Sequence, residues 1–350
     1  MTNFGIFIDP LPVSDTVERA KFLEKNNYDS LWLSDETQVF ASPKDMTVPE
    51  LFPTLTMIAA NTSKIKMGTG VIDASIRHPA KLSQSIATVD AVSNGRLLIG
   101  IGGGELANRQ MYGIESKNLF SKMNESVKVI KLLLQSDFKN VKNFKGNFYS
   151  LDNAFLKISP VAKPHPPIIV SAFGPKALNL TGEEGDGWIS FAHTPESFDK
   201  TYNGTIKSSA EKCGRNLDTI DPYLVIPVGL HKESKKTEQI ISSITKDWLV
   251  WSPDNMKLIT PQISHSGLRQ PYLKRSDGNP IEELQDFAKQ IPNETALDMG
   301  INGTKDECIE KIDKFIKAGC KNFTCYVVPI EKSWPDAIKE FKQEVVSYFK

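Results

Sequence analysis

Residues 65–105 read IKMGTGVIDASIRHPAKLSQSIATVDAVSNGRLLIGIGGGE, and this stretch decides the fold. An apolar run at 65–71 is followed by a helical segment at 79–92 that starts with proline, as helices often do. A second apolar run at 97–101 ends in glycines. Neither run alternates apolar and polar residues, which favours strands of a parallel sheet covered on both faces. The stretch therefore predicts parallel strands joined by helices.

The same alternation of strands and helices extends over the whole chain. Strands are predicted at residues 4–8, 30–33, 65–71, 97–101, 168–172, 187–191, 223–230 and 322–328. Helices are predicted at 13–26, 48–61, 79–92, about 121–135, 175–184, about 195–213, 304–318 and 334–349. About eight β/α units in 350 residues fit a closed (β/α)8 TIM barrel better than an open sheet. We predict an α/β fold with one barrel domain over residues 1–350 and insertions at about 138–166 and 250–300.

Composition and charge narrow the class of protein. The chain is 40% hydrophobic and 24% charged, so it can bury a core, and 42 basic residues balance 42 acidic ones. This balance does not favour nucleic acid or an anionic membrane as a partner. The start MTNFGIFIDPLPVSD lacks a signal-peptide pattern, and no apolar run is long enough to span a membrane. With four cysteines and no C-x-x-C pair, we expect a cytoplasmic protein with reduced, mostly buried thiols.

The glycine-rich end of the strand at 97–101 is the first candidate site, because function in such a barrel lies in the loops after the carboxyl ends of the strands. Residues 100–107 contain G-x-G-x-x-A, with Glu125 about twenty residues further on, which resembles a dinucleotide-binding fingerprint. That fingerprint usually opens its domain, whereas three β/α units precede this one. We favour glycines that let a planar ring lie close to the backbone, with the Glu105 carboxylate directed at the ring. The alternative is that Glu105 caps a helix.

Two carboxylates, Asp35 and Glu36, follow the strand at 30–33. Neighbouring carboxylates in a pocket raise each other's pKa and can then donate protons. The alternative for Asp35 is a helix cap or an ion pair. Arg77, in an Arg-His-Pro turn before a helix, is suited to hold an anionic tail, and its alternative is a pair with an acid.

An anion site is predicted where the helix at 175–184 begins. Free N–H groups at a helix start suit a phosphate, and Gly174 and Pro175 stand at this point. Thr194, with His193, follows the next strand and could add a donor. The 5 histidines lack the spacing of common metal motifs, so no metal site is predicted.

Several stretches together resemble the luciferase-like superfamily. They are FGIFID, YDSLWLSDE, residues 65–105, PPIIVSAFGPKALNLTGEEGDGWISF and NGTKDECIEKIDKFIKAGCKNF, which cover most of residues 1–195 and 300–330. The most specific part is Ser-Asn-Gly-Arg at 93–96, which leads into the glycine-rich strand end. The ending GIGGGE is similar to the branch that uses the deazaflavin coenzyme F420. That branch includes methylenetetrahydromethanopterin reductases, glucose-6-phosphate and secondary-alcohol dehydrogenases, and phthiodiolone ketoreductases, and the Arg-His-Pro turn is most similar to the last group.

The resemblance implies a dimeric barrel with F420, or FMN as the alternative, bound at the carboxyl-terminal mouth. It implies a bulge after the third strand, commonly with a non-prolyl cis peptide bond, at Gly70 and Val71, and a cofactor phosphate near Gly174 and Pro175. Together with the strand-end loops it gives the candidate cofactor-binding residues Asp35, Gly70, Val71, Arg77, Gly104, Glu105, Ala172, Gly174, Pro175 and Thr194. The candidate catalytic residues are Asp35, Glu36 and Glu105.

One position departs from the family pattern. Many relatives have Asp-His after the second strand, where the histidine takes part in proton transfer, whereas this chain has Asp35 and Glu36. The tryptophan that follows four residues later in the sugar-phosphate dehydrogenases is Phe40 here. Both differences argue against a sugar-phosphate substrate. Glu36 or Glu105 then becomes the expected proton donor, with a pKa raised by burial.

Three hypotheses for the function follow. The first is hydride transfer between F420 and a carbonyl or alcohol, an imine or a pterin, with 5,10-methylenetetrahydromethanopterin reduction as the leading named alternative to a ketone or alcohol reaction. The second is an FMN-dependent monooxygenase, and the third is a flavin-binding barrel without catalytic activity. In the first two a small molecule is the expected substrate, and a homodimer is the expected assembly. Residues 250–300, which would define the substrate, resemble nothing that identifies it.

Overall fold

The computed structural model describes residues 2–37, 46–104, 108–109, 112–115, 117–250 and 288–350. Its strands are β1 (Asn3–Phe7), β2 (Ser30–Leu33), β3 (Lys66–Thr69), β4 (Ile72–Asp73), β5 (Leu97–Gly102), β6 (Lys142–Lys145), β7 (Ser150–Ala154), β8 (Ile168–Ser171), β9 (Gly187–Phe191), β10 (Asp221–Leu230), β11 (Ile301–Gly303) and β12 (Asn322–Val327). All except β6 and β7 form one sheet, in the order β11-β10-β12-β1-β2-β3-β5-β8-β9, with β4 beside β5. Because β9 also pairs with β10, the sheet closes into a barrel. The predicted (β/α)8 TIM barrel is confirmed, and its strands are β1, β2, β3, β5, β8, β9, β10 and β12, as the sequence predicted.

The helices of the described residues are Val13–Lys25, Leu51–Asn61, Pro79–Ser93, Leu119–Leu134, Pro175–Glu184, Pro195–Asp199, Lys207–Lys212, Lys235–Val250, Asn293–Asp298, Lys305–Lys317 and Trp334–Glu344, and none of them is long and apolar enough to cross a membrane. Three predicted helices differ from the structure, and the one predicted at 334–349 ends at Glu344 and is followed by a 3-10 helix, Val346–Phe349. The helix predicted at 48–61 begins at Leu51, because Glu50 is extended and its carboxylate accepts the N–H of Phe52 at 2.8 Å as a cap. The helix predicted at 195–213 is interrupted by a π-helix, Lys200–Ile206. Most of the insertion predicted at 250–300 lies outside the described residues.

The excursion predicted at about 138–166 contains an antiparallel hairpin of β6 and β7. Glu125, on the helix Leu119–Leu134, holds the hairpin turn. Its carboxylate accepts the N–H of Asn147 at 2.7 Å, of Phe148 at 2.9 Å and of Tyr149 at 3.1 Å. Burial raises the pKa of Glu125, but the hydrogen bonds from these N–H groups lower it by more, so the pKa lies below its ordinary value. Glu125 is therefore a structural residue and not the acid of a dinucleotide fingerprint.

The chain divides into two compact units. The carboxyl-terminal unit contains the described residues of 1–7, 172–182 and 189–350, and the amino-terminal unit those of 8–171 and 183–188. In the carboxyl-terminal unit β12 pairs in parallel with β1 and β10, and Phe4 stacks on Phe323 with ring centroids 5.3 Å apart. In the amino-terminal unit β3 pairs with β2 and β5. Gly68 on β3 is covered by the Trp32 ring, which leaves no room for a Cβ atom.

The Ser-Asn-Gly-Arg sequence at 93–96 ends the helix Pro79–Ser93 and leads into β5. Asn94 and Gly95 have positive φ values of 56° and 79°, which turn the chain at the end of the helix. The Arg96 guanidinium then donates to Ser93 O at 2.6 Å, Ala59 O at 2.9 Å, Thr62 Oγ1 at 2.9 Å, Ile65 O at 2.9 Å and Thr62 O at 3.0 Å. The acceptors at 59 and 62 lie at the end of the helix Leu51–Asn61. Arg96 therefore caps the end of the helix Leu51–Asn61, although Arg96 itself belongs to the following β/α unit.

The cysteines differ in their exposure. Cys308, Cys320 and Cys325 are buried, whereas Cys213 is exposed, and all are free thiols. Burial raises the pKa of Cys308 to about 12 and also raises the pKa values of Cys320 and Cys325. The buried thiols therefore stay protonated and unreactive.

Candidate functional site

The loops after β2, β3, β4 and β5 contain the first group of predicted residues, all within the amino-terminal unit. Gly70 and Val71 are joined by a non-prolyl cis peptide bond, as the family resemblance implied. Val71 packs on the glycines of β5. A Cβ atom on Gly100 would lie 3.0 Å from Val71 Cγ1, and one on Gly102 would lie 2.9 Å from Val71 Cγ2. These two glycines therefore allow Val71 to lie directly against the strand.

The two glycines that follow β5 have different surroundings. No described atom lies within 4 Å of the place that a Cβ atom on Gly103 would take, so its backbone has an open face. Gly104 has a φ of 64°, which favours glycine, and a Cβ atom there would overlap the carboxylate of Asp73. No described residue accepts a hydrogen bond from the N–H of either glycine. An open backbone with available N–H groups can receive a flat, polar ring.

Asp35 and Arg77 form an ion pair, which is the alternative that the sequence left open for both. The Arg77 guanidinium donates to both carboxylate oxygens of Asp35, to Oδ1 at 2.8 Å, and also to Glu50 Oε1 at 2.7 Å. The side chains of Asp35 and Arg77 are 7% and 25% exposed. Asp35 further accepts the backbone N–H of Asp73. Arg77 thus engages both oxygens of Asp35.

Burial and pairing set the charge state of this group. Burial raises the pKa of Asp35 above its ordinary value, and the contact with Arg77 reduces that rise. Burial lowers the pKa of Arg77, but the contacts with Asp35 and Glu50 raise it by more. The pKa therefore lies above its ordinary value, and Arg77 stays charged. Glu36, the next residue, is partly exposed.

A second ion pair, between Asp73 and Arg109, was not predicted from the sequence. Arg109 Nη1 donates to Asp73 Oδ2 at 2.7 Å, and the two side chains are 1% and 4% exposed. Arg109 also donates to the carbonyl oxygen of Gly103 and, at 3.4 Å, to that of Gly104. Ser75 donates its N–H and hydroxyl to Asp73 Oδ1 at 2.8 Å and 2.6 Å. The pair therefore ties the loop after β4 to the loop after β5.

Asn108 is a further residue that the sequence reasoning missed. Its side-chain oxygen accepts the N–H of Thr37 at 3.1 Å and the Thr37 hydroxyl at 2.7 Å. This contact joins the loop after β2 to the segment after β5. The signal that could have found it is the pair of polar residues Asn108 and Arg109 soon after the carboxyl end of a barrel strand.

Glu105 and Phe40 lie outside the described residues, so the geometry says nothing about their predicted roles. Within the described part of the chain, no group of three or more His, Cys, Asp or Glu side chains could hold a metal ion.

The carboxyl-terminal unit holds the second group of predicted residues, which follow β8 and β9. Ala172 is buried, and Gly174 and Pro175 stand at the start of the helix Pro175–Glu184. The Gly174 carbonyl accepts two N–H groups of the first helical turn, both at 3.0 Å. Proline has no N–H, so this helix start offers the N–H groups of Gly174 and Lys176 to an anion.

Thr194 is the cap of the helix Pro195–Asp199. Its hydroxyl oxygen accepts the N–H of Ser197 at 3.2 Å, and the Ser197 hydroxyl accepts the N–H of Thr194 at 2.9 Å. The donor that the sequence suggested at Thr194 is thus part of a capping box. His193 is buried beside it, with Nε2 2.8 Å from Ser190 Oγ and Nδ1 3.0 Å from Ser197 Oγ. Burial lowers the pKa of His193 to about 3, so its ring is neutral.

The buried His193 should make stability depend on pH. Its pKa is about 3 in the folded protein, whereas an unfolded histidine has a pKa of about 6.5. As the pH falls below about 6.5, the unfolded state gains a proton that the folded state does not, which lowers the free energy of unfolding by up to about 1.4 kcal/mol per pH unit. Urea unfolding between pH 7.5 and 5 should therefore show a shallower pH slope for His193→Gln than for the wild type. Parallel curves for the two proteins would contradict this prediction.

Four aromatic rings form a partly exposed row in the carboxyl-terminal unit. Phe173 follows β8, Phe191 ends β9, Tyr326 is near the end of β12, and Trp248 lies on the helix Lys235–Val250. The ring centroids of Phe173 and Phe191 are 4.9 Å apart, those of Phe191 and Trp248 6.0 Å, and those of Trp248 and Tyr326 5.7 Å. Such a row offers an apolar surface to the flat part of a small molecule.

Comparisons with known proteins identify a family and several relatives of the chain. A family model described as luciferase-like monooxygenase matches residues 4–322. An F420-dependent glucose-6-phosphate dehydrogenase from Nakamurella multipartita is 28% identical over 315 residues, which cover 88% of this chain and 85% of that protein. A 5,10-methylenetetrahydromethanopterin reductase from Methanolobus tindarius is 27% identical over 349 residues, which cover 98% of this chain and 99% of that protein.

A solved structure shares the fold. The coenzyme F420-dependent tetrahydromethanopterin reductase from Methanopyrus kandleri matches with a TM-score of 0.80 and 24% identity, over 100% of this chain and 99% of that chain. At this identity the likeness shows the fold alone. The family model, in contrast, covers most of the sequence. The chain therefore belongs to the luciferase-like monooxygenase family and is an oxidoreductase enzyme of that family.

Proposed function

We propose that the protein is an F420-dependent oxidoreductase that transfers a hydride between the deazaflavin and a small substrate. The observation that carries the proposal is the open backbone at Gly103, beyond the strand on which Val71 packs. An atom of a flat ring can occupy the Cβ position of Gly103 without meeting a described atom within 4 Å. The F420-dependent dehydrogenase from Nakamurella multipartita, which matches over most of its length, supports the same cofactor here.

Each unit, taken by itself, offers groups that suit one part of such a cofactor. In the amino-terminal unit, the N–H groups of Gly103 and Gly104 can donate to the carbonyl groups of a deazaflavin ring, since no described residue accepts from them. We propose ring contacts for Gly70, Val71, Gly104 and Glu105, and polar contacts for Asp35 and Arg77. In the carboxyl-terminal unit, we propose that Ala172, Gly174, Pro175 and Thr194 contribute to binding the cofactor phosphate, for which the start of the helix Pro175–Glu184 supplies N–H donors.

Bound F420 would supply hydride transfer at its C5 carbon. The residues of this chain then have to orient the substrate and move one proton. We propose Glu36 or Glu105 as the group that moves it, because Glu36 is a partly exposed carboxylate beside the Asp35–Arg77 pair. Asp35 would contribute to catalysis by holding Arg77, since both of its oxygens are engaged.

The substrate class that we propose is a carbonyl or alcohol, an imine or a pterin. The relative from Methanolobus tindarius, which matches along nearly its whole length, favours the pterin reaction, 5,10-methylenetetrahydromethanopterin reduction. The aromatic row from Phe173 to Tyr326 also suits a substrate with a flat apolar part. Glu36, which replaces the histidine of many relatives, argues against the sugar-phosphate reaction. A homodimer, which the resemblance implies, and a cytoplasmic location, which the sequence start and the cysteines indicate, remain predictions.

The second candidate is an FMN-dependent monooxygenase. The description of the matching family model favours it, and the same helix start would serve an FMN phosphate. The two candidates differ in cofactor and in their need for oxygen, so cofactor binding separates them.

The test is equilibrium binding of the purified apoprotein to F420, FMN and NADPH in one buffer, followed by fluorescence or calorimetry. The proposal expects tight binding of F420 and weaker binding of FMN and NADPH. Hydride transfer is then measured with ketones, alcohols, imines and methylenetetrahydromethanopterin. Preference for FMN would support the monooxygenase instead. Preference for NADPH would contradict both candidates.

Gly103→Ala should separate cofactor binding from folding. The added methyl group meets no described atom within 4 Å, so the free energy of unfolding should stay the same or rise by about 0.5 kcal/mol. The same methyl group would stand where we propose that the ring lies, and the Kd for F420 should rise about tenfold or more, which corresponds to about 1.4 kcal/mol. Both quantities are measured on the apoprotein, by chemical unfolding and by F420 fluorescence. An unchanged Kd would mean that the ring does not lie against Gly103.

A further inference from the structure

We infer that Arg109 and Asp73 are a positioning pair, which orients the Gly103–Gly104 peptide and thereby sets the affinity for the cofactor ring. The inference rests on the proposed function, because the ring is the ligand that this backbone would receive. Neither residue would touch the ring. Both would act through the glycine backbone that Arg109 holds by its carbonyl oxygens.

The first argument is the geometry of the peptide group between Gly103 and Gly104. The C=O of Gly103 and the N–H of Gly104 belong to one trans peptide and point in opposite directions. The C=O accepts from the guanidinium of Arg109, whose side chain is 1% exposed. The Gly104 N–H therefore faces away from the buried pair, and no described residue accepts its hydrogen bond. An acceptor atom of the ring could accept a hydrogen bond from the Gly104 N–H.

The charge of Arg109 carries the second step. A hydrogen bond from a charged guanidinium to a carbonyl polarises the peptide, so the N–H on its other side becomes a stronger donor. Asp73 balances that charge at 2.7 Å and is itself held by the N–H and hydroxyl of Ser75. The site therefore gains a polarised donor without a net charge from this pair.

The cost of the arrangement carries the third step. Arg109 Nε is buried and has no hydrogen-bond partner in the described part of the chain. A buried ion pair is often no more stabilising than apolar side chains of the same volume, and an unsatisfied buried donor costs further stability. Stability alone is therefore a poor reason for this pair. Orientation of two successive carbonyls by one planar, forked cation is a task that arginine performs and apolar side chains do not.

The decisive variant is the double substitution Asp73→Asn with Arg109→Met. It removes both charges together, and the new asparagine side chain would keep an oxygen for Ser75, so the apoprotein should still fold, with a melting temperature lowered by the loss of the donors to two carbonyl groups. The donors to Gly103 and Gly104 are lost, and the Kd for F420 should rise about tenfold or more, as expected for one charge-assisted hydrogen bond. A purely structural pair would instead give wild-type affinity once the double variant is folded.

A milder variant keeps the test valid if the double variant does not fold. Ser75→Ala removes the hydroxyl that lies 2.6 Å from Asp73 Oδ1 and 3.3 Å from Arg109 Nη1. It should raise the Kd for F420 by about threefold, because a neutral hydrogen bond that acts through Asp73 contributes less than the charge-assisted bond itself. The matched control is Ser83→Ala, which deletes a buried hydroxyl that donates to Pro79 O at 2.7 Å in the same unit. The control should lose stability to a similar extent and bind F420 as the wild type does.

The outcomes separate this inference from the proposed function. Weaker F420 binding by the double variant and by Ser75→Ala, with unchanged binding by Ser83→Ala, supports the positioning pair. Equal binding by the wild type and all variants overturns the pair and leaves the F420 proposal intact. A wild-type protein that binds neither F420 nor FMN overturns the proposed function, and the inference falls with it.

Discussion

Replacing Arg96 with methionine should lower the free energy of unfolding by about 4 kcal/mol. The guanidinium donates hydrogen bonds to acceptors on four residues, Ala59, Thr62, Ile65 and Ser93. It thus joins the end of the helix Leu51–Asn61 to the start of β3. Methionine fills most of the same volume but leaves several partly buried carbonyl groups without donors, and each unpaired group costs about 1–3 kcal/mol. Urea unfolding of the apoprotein measures the loss.

Arg96→Lys is the matched comparison. Lysine keeps the charge but has one ammonium group, which cannot reach acceptors on both Ala59 and Ile65 as the fork does. It should recover part of the loss and not all of it. Lys81→Met, which removes an exposed charge on the next helix, should change stability by about 0.5 kcal/mol or less. A loss at Arg96 as small as the loss at Lys81 would contradict the capping role.

Gly104→Ala should cost about 3 kcal/mol of stability. The φ of 64° lies in the left-handed region, where a side chain is strained by about 1 kcal/mol or more. In addition, the new Cβ atom would overlap the carboxylate of Asp73, which cannot move aside without breaking its contacts with Arg109 and Ser75. Chemical unfolding of the apoprotein measures the cost.

Gly103→Ala provides the comparison at the adjacent position. The same methyl group added there meets no described atom, so the two variants differ in their surroundings and not in their chemistry. Equal stabilities of Gly103→Ala and Gly104→Ala would mean that the Asp73 carboxylate is not fixed in place. The positioning pair would then lose its structural basis as well.

The barrel could be predicted from the sequence because its evidence is local. Each strand is a short apolar run, and proline marks the first turn of several helices, as Pro79 and Pro195 do. The helix predicted at 195–213 was wrong in part, because apolar spacing does not reveal the π-helix Lys200–Ile206 inside it. The hairpin of β6 and β7 was seen only as an excursion, because a tie such as Glu125 to Phe148 joins residues distant in sequence.

The candidate site was predicted in part for the same physical reason. The strand-end rule located Asp35, Arg77 and the glycine loop, and it left open that Asp35 and Arg77 would pair. It could not find the pair of Asp73 with Arg109, because 36 residues separate them and nothing in either local pattern indicates burial. Sequence positions at strand ends therefore indicate which residues lie in neighbouring loops, whereas the partners of their charges come only from the folded chain.

The exposure of Cys213 gives the folded protein a single accessible handle for chemical labelling. Cys308, Cys320 and Cys325 are buried with raised pKa values, so a maleimide reagent applied to the native protein would attach at Cys213. That residue directly follows the short helix Lys207–Lys212 in the carboxyl-terminal unit. A dye or spin label can thus be introduced in the unmodified sequence, and its signal can report ligand-induced motion of this unit without any cysteine being removed.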